Sequence, residues 1–174
     1  SHHHTSMEQI RGIIDGLSVS SEVKKNALGV YGLIAEAESR AHGEPVSQIH
    51  FHEVGMMDAI ADVVGVCVLM EMLRCERILA SPVHVGSGSV KTAHGVLPVP
   101  APATAYILQG VPVYGGTITG ELCTPTGAAL LKYFVEDFGP MPLMAAEKIG
   151  IGVGTRQFPA ANILRAFWGD SLKP

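Results

Sequence analysis

The sequence predicts a single α/β domain, a layered sheet with helices packed on it, with a mixed α+β arrangement also open. Three observations predict it. Segments of helical periodicity alternate with short runs of small and β-branched residues. Hydrophobic residues make up 47% of the chain and charged residues only 16%, which supports a core and argues against disorder. The length of 174 residues suits one domain of ordinary size.

The elements follow in order. Ser1 to Ser6 reads as a purification-tag remnant because His2, His3 and His4 are consecutive, which leaves residues 7–174 as the domain. Met7 to Leu17 places Ile10, Ile13, Ile14 and Leu17 on one helical stripe. Ser20 is an N-cap candidate for a second helix, Glu22 to His42, with Val23, Ala27, Val30, Tyr31, Ile34 and Ala37 at helical spacing. Gly43 and Pro45 end it. Val46 to His52 is short and extended. Met57 to Leu73 is apolar nearly all round, which predicts a buried helix. Arg77 to Val85 reads as a strand, and Gly86-Ser87-Gly88 as a turn. Pro98, Pro100 and Pro102 form a connector into a helix from Ala103 to Leu108, closed by Gly110. Val111 to Tyr114 and Thr117 to Thr119 read as short strands. Thr124 and Pro125 cap and open a helix through Phe138. Ile149 to Val153 and Ile163 to Trp168 close the fold as strands.

The net charge of −4 argues against a nucleic-acid partner. No signal peptide is visible, and the most apolar stretch, Ala59 to Leu73, carries Asp62 and Glu71 and is short for a membrane span. Cys67, Cys75 and Cys123 form no C-x-x-C pair and suit a reducing compartment, so a cytoplasmic location is expected. The low charge leaves apolar surface for a partner, such as a second copy of the chain.

The densest chemistry lies in His50-Phe51-His52-Glu53-Val54-Gly55, followed by Asp58 and Asp62. In an extended segment His50 and His52 face one way, as ligands for a divalent cation or as ordinary polar strand residues. The H-E-x-x-H helix of zinc proteases is excluded, because Met56 stands four residues after His52. Asp58 and Asp62 lie one turn apart and repel, so a cation, a basic side chain or a helix N-terminus should compensate them. Asp58 is also placed to cap its helix. Asp62 has apolar neighbours on a helix expected to be buried, and a buried carboxylate needs a partner. Outside the tag, His42, His50, His52, His84 and His94 share one stretch of the chain, which suggests a shared site, and either His84 or His94 could approach this cluster. Glu121 to Gly127 sets Thr124, Thr126 and Gly127 at a helix N-terminus, a place for phosphate or for simple capping. Cys123 just before it is expected to have a lowered pKa. Gly150-x-Gly152-x-Gly154 resembles a phosphate loop only superficially, and tight turns or close backbone approach explain these glycines better.

Four motifs in order resemble one family: Ala35 to Asp62, Ala93 to Thr104 (Ala-His-Gly-Val-Leu-Pro-Val-Pro-Ala-Pro-Ala-Thr), Glu121 to Ala129 (Glu-Leu-Cys-Thr-Pro-Thr-Gly-Ala-Ala), and Ile149 to Arg156. They are similar to the nickel-insertion proteins that complete the nickel-pincer nucleotide cofactor of lactate racemase. The resemblance covers nearly everything after Ser6. It implies insertion of Ni²⁺ into pyridinium-3,5-bisthiocarboxylic acid mononucleotide, with nickel–sulfur and nickel–carbon bonds formed, using CTP with Mn²⁺ or Mg²⁺. It also implies departures. The family's opening strand and Cys-Ser-Gly-Gly-Asp loop are missing, as is the C-terminal domain linked to CTP, so the chain reads as an N-terminal piece. His84 stands where Asn is more usual.

By that resemblance, His50, His52, Glu53, Asp58, Asp62 and His94 are the positions for metal handling or pincer contacts. The expectation is that His50 and His52 hold nickel, with Asp58 as a further ligand or, like Asp62 and Glu53, as an orienting or proton-accepting group. Thr124, Thr126, Gly127 and His94 would receive the pincer nucleotide, and Cys123 would assist transfer. A metal-dependent hydrolase using the same cluster and a non-catalytic oligomerising module are the alternative readings.

Overall fold

A computed structural model of the chain describes residues 5–172; His2, His3 and His4 lie outside the described residues. Thr5–Ser6 forms strand β1, and Ser6 then starts helix α1, Met7–Asp15. The start is a capping box: Ser6 Oγ accepts from the Gln9 amide at 3.2 Å, and Gln9 Oε1 accepts from the Ser6 amide at 2.8 Å. Thr5 and Ser6, read above as tag, are therefore built into the first helix and into a strand pair.

Helix α2, Ser21–His42, is the centre of the molecule. Ser20 caps it by accepting from the Val23 amide at 3.1 Å, and Gly43 ends it in the left-handed region at φ 69°. Its buried stripe carries Val23, Ala27, Val30, Tyr31, Ile34, Ala35 and Ala37. Around it pack α1, α3 (Met57–Leu73), α4 (Pro102–Ile107) and α5 (Pro125–Phe134). Between α2 and α3 run a 3-10 turn at Val46–Gln48, strand β2 at His50–Phe51, and a second 3-10 turn at Glu53–Gly55.

The remaining strands are short: β3 (Leu79–Ala80), β4 (Val83–His84), β5 (Gly86–Ser87), β6 (Ser89–Thr92), β7 (Gly95–Pro98), β8 (Val113–Tyr114), β9 (Gly120–Glu121) and β10 (Asp137–Phe138). Two are long, β11 (Met144–Val153) and β12 (Ile163–Ser171). The class is mixed α/β, but the expected layered sheet is replaced among the described residues by two-stranded pairs: β1–β2, β5–β9, β6–β7 and β11–β12 antiparallel, β3–β10 and β4–β8 parallel. The core is thus a helical one, built on α2.

Local departures from the sequence expectations have physical causes. The strand expected over Arg77–Val85 breaks into β3 and β4 around Pro82, which has no amide hydrogen to donate. The last expected helix stops at Phe134, because the following chain pairs with β3: the Glu136 amide donates to Ile78 at 2.8 Å and the Gly139 amide to Ala80 at 2.9 Å. Helix α3 has the expected bounds but is not buried all round. Ile60, Val63, Val64 and Cys67 are buried, while Leu69, Met72 and Leu73 are exposed. Gly86 belongs to β5, where an added Cβ would lie 1.9 Å from the Gly120 carbonyl oxygen, so only glycine permits this strand pair.

Strands β11 and β12 form a two-stranded arm that, among the described residues, pairs only with itself. Gly150 and Gly152 stand in paired strand positions where an added Cβ would meet nothing within 4 Å, so neither a phosphate loop nor a close approach accounts for them, whereas one on Gly154 would lie 2.2 Å from Asn162 Nδ2. The arm's connecting loop does reach the body: an added Cβ on Gly120 would lie 2.8 Å from the Phe158 ring.

Candidate functional site

The His50–Gly55 segment is shaped from beneath. Ile49 and Phe51 point into the core, 4% and 1% exposed, while His50 is exposed and His52 half-buried. The period-two alternation expected of an extended segment therefore holds through His52. Phe51 packs edge-on against Tyr31 with ring centroids 6.1 Å apart. The Tyr31 hydroxyl donates to the Val54 carbonyl at 2.9 Å. Gly55 lies so close to the strand pair that an added Cβ would meet Phe51 Cβ at 2.8 Å and Thr5 Cβ at 2.9 Å. Three contacts from α2, β1 and β2 thus fix the turn that carries His52 and Glu53.

His94 arrives from a distant part of the chain. It sits in the tight turn between β6 and β7, where its amide donates to Thr92 Oγ1 at 3.1 Å. Its ring packs edge-on against His52, with centroids 4.7 Å apart, and lies tilted against His42, with centroids 5.0 Å apart. His42 lies in the last turn of α2, and its Nε2 is 3.3 Å from Glu38 Oε2 one turn earlier. Of the two histidines expected to approach, His94 does so and His84 does not. His84 stacks on Tyr114 at 4.5 Å, and its Nε2 is 3.1 Å from the Gly115 carbonyl oxygen.

Asp58 and Asp62 lie in the first turns of α3, and both are exposed. Two expectations are corrected. Met56, not Asp58, occupies the N-cap position, and Asp58 Oδ1 accepts from the Ala59 amide. Asp62 is not a buried carboxylate, because α3 turns that side outward. The two carboxylates still act on a common neighbour. Burial raises the Tyr31 phenol well above its ordinary pKa, and the charges of Asp58 and Asp62 raise it further.

The Glu121–Gly127 segment meets the same region through Glu121. Partial burial raises its carboxyl pKa, Arg156 acts to lower it, and Glu53 raises it further. Glu53 and Arg156 therefore both act on Glu121, although the three come from a 3-10 turn, the loop of the arm and β9. Thr124 caps α5 as expected, its Oγ1 accepting from the Gly127 amide at 3.2 Å, and Thr126 sits in the first turn. Cys123 is buried, and its thiol is pushed up to about 11, chiefly by burial and then by Glu121. The expected acidic thiol is thus reversed: desolvation outweighs the helix N-terminus.

Among the described residues, no three His, Cys, Asp or Glu side chains are gathered as they stand into a group that could hold a metal ion. The sequence named His42 only among the clustered histidines and Tyr31 only on the α2 stripe, and it gave Glu38, Glu121 and Arg156 no role in the site. The Glu38/His42 spacing of one helical turn was a visible signal. Nothing local linked Arg156 to Glu121.

The family described as Nickel insertion protein matches residues 1–173. The chain belongs to the nickel insertion protein family. Curated relatives agree. A protein of Desulfitobacterium hafniense is 44% identical over 169 residues, covering 97% of this chain and 42% of the relative. One from Geobacillus kaustophilus is 44% identical over 175 residues, covering 99% and 43%. One from a Nocardioides species is 46% identical over 167 residues, covering 95% and 42%. Each bears the name pyridinium-3,5-bisthiocarboxylic acid mononucleotide nickel insertion protein. The chain therefore spans less than half the length of these family members. No solved structure matches it. Among the described residues, no helix is long and apolar enough to cross a membrane.

Proposed function

We propose that this chain is the part of a nickel insertion protein that holds Ni²⁺ and presents it to the pincer mononucleotide. Nickel is the substrate here, and the product is the nickel-pincer nucleotide that serves lactate racemase. The observation that carries the reading is the contact between His52 and His94, imidazoles from two family-like motifs far apart in sequence, at 4.7 Å. Imidazole nitrogen suits Ni²⁺. His50 and His52 take the ion, with Asp58 as an oxygen donor. Asp62 and Glu53 orient the ligands or accept the proton released when a pyridinium carbon is metallated. His94 and the α5 start at Thr124, Thr126 and Gly127 face the nucleotide, whose phosphate suits a helix N-terminus. Cys123 assists only where substrate binding brings its buried thiol into reach. CTP and its Mn²⁺ or Mg²⁺ belong, on this reading, to the part of the relatives that this chain does not cover, and the protein works in the cytoplasm.

Residues 1–6 belong, on the same reading, to the domain and not to a tag. The capping box at Ser6, the β1–β2 pair and the family match from residue 1 support this.

The test is a nickel titration of the chain against the His50→Ala/His52→Ala double variant. Loss of a stoichiometric site is expected. Equal binding by parent and variant would remove the metal assignment.

A further inference from the structure

We propose that Arg156, in the loop of the β11–β12 arm, binds the phosphate of the mononucleotide, and that Phe158 positions it by docking that loop on β9. The inference rests on the mononucleotide reading above and adds to it a residue from an element that carried no assigned role. The two strands of the arm are exposed along most of their length, but the loop between them is not free of the body. Phe158 is half-buried, and an added Cβ on Gly120 would stand 2.8 Å from its Cε1. Gly120 also has φ 128°, a conformation that favours glycine, so backbone and ring both need glycine there. Glu121 follows at once and is set opposite Gly86 in the β5–β9 pair.

The loop is fastened to itself as well. Asn162 Nδ2 donates to the Arg156 carbonyl at 3.0 Å, and the Gly154 amide donates to the Asn162 carbonyl at 3.0 Å. The backbone that carries Arg156 is thus tied across the loop, and the loop is docked two residues further on. Among the described residues the exposed guanidinium forms no ion pair, although its charge reaches Glu121. Its N–H donors remain for a ligand, and a planar fork of donors matches phosphate oxygens in pairs. The local charges match the substrate in sign. Arg156 suits the phosphate, while Glu53 and Glu121, which also act on one another, suit the cationic pyridinium ring.

The experiment is a pair of calorimetric titrations of the whole chain. One probe is nicotinate mononucleotide, a pyridinium carboxylate mononucleotide, and the other is nicotinate riboside, which lacks only the phosphate. The variants are Arg156→Ala, Arg156→Lys and Phe158→Ala. The parent should bind the mononucleotide at least about tenfold more tightly than the riboside, and the difference should shrink as salt is raised. Arg156→Ala should lose most of that preference and keep the riboside affinity. Arg156→Lys should restore part of it, because a point charge replaces the fork. Phe158→Ala should lower the preference with Arg156 intact, and a full preference there would remove its positioning role. A full preference in Arg156→Ala would overturn the inference and leave the mononucleotide reading standing. An equal loss of both probes in Arg156→Ala would also overturn it, since a residue that only shapes the loop acts on ring and phosphate alike. A parent that bound both probes equally would remove the phosphate contact, and one that bound neither would remove the mononucleotide reading with it. A melting curve of each variant checks that the fold is kept.

Discussion

The Tyr31 hydroxyl, rising from the central helix, donates to the carbonyl of Val54 in the turn that carries His52 and Glu53. The ring is fully buried, and burial together with Asp58 and Asp62 holds the phenol in its protonated, donating form. The bond therefore ties the candidate site to the core.

Tyr31→Phe keeps the packing against Phe51 and removes only this bond. A lost hydrogen bond that strands a carbonyl costs about 1–2 kcal/mol, which for a domain of this size is a drop of several degrees in Tm. Nickel affinity should fall too, because His52 is held through the same turn. An unchanged melting curve would mean that water replaces the bond at no cost.

Two glycines of α2 should respond in opposite directions to alanine. At Gly29 an added Cβ would lie 2.4 Å from the Tyr133 ring, and that ring is fixed by its hydroxyl donating to Asn26 Oδ1 at 2.8 Å. Overpacking of about 1–3 kcal/mol then exceeds the roughly 1 kcal/mol gained in helix propensity, and Tm falls. Gly32 has nothing within 4 Å of the added Cβ, so Gly32→Ala should raise Tm. Paired thermal melts decide it.

Thiol labelling should separate the three cysteines. Cys75 is exposed, whereas Cys67 and Cys123 are buried, each with its pKa pushed up to about 11. At neutral pH iodoacetamide should modify Cys75 alone in the folded protein. Mass mapping that found Cys123 modified at a similar rate would contradict its burial.

Glu121 sets a pH dependence. Its carboxyl pKa is raised above the ordinary 4.5, first by burial, so the folded protein holds this proton more tightly than the unfolded chain. Its contribution favours the fold below the ordinary value and is lost as pH rises through the raised one. At pH 7 to 8 Glu121→Gln should therefore melt higher than the parent, and the gap should narrow in acid. A gap that widened in acid would show that Arg156 outweighs burial.

Much of this arrangement is legible in the residues. The α2 stripe, the caps at Ser20 and Thr124, and the bounds of α3 follow from periodicity and capping chemistry, which act within a few residues. The strand pairs do not follow, because partners such as Leu79 and Asp137 are chosen by the whole fold. The exposure of Asp62 was missed for a related reason: composition says that α3 is apolar, but only packing decides which side is covered. The acidity of Cys123 was misread because sequence displays the helix start and hides the burial. Membership of the histidine group divides likewise. His52 stood out through its neighbours, whereas His42 joins only when α2 and the β6–β7 turn meet.

The arm formed by β11 and β12 carries one irregularity, a register shift between Ala146 and Lys148. Met144 and Ala146 lie opposite Ser171 and Gly169, and Ile149, Ile151 and Val153 opposite Phe167, Arg165 and Ile163. Residues opposite one another share a face, so the extra residue, Glu147, works as a frame correction. It keeps Met144 and Ala146 in phase with the isoleucines, although three positions, an odd number, separate Ala146 from Ile149. Were Glu147 threaded into the ladder in strict alternation instead, the two ends of the strand would fall out of phase, with the isoleucines and the open glycines trading sides. The sidedness of the whole arm thus depends on one residue being left out of the pairing.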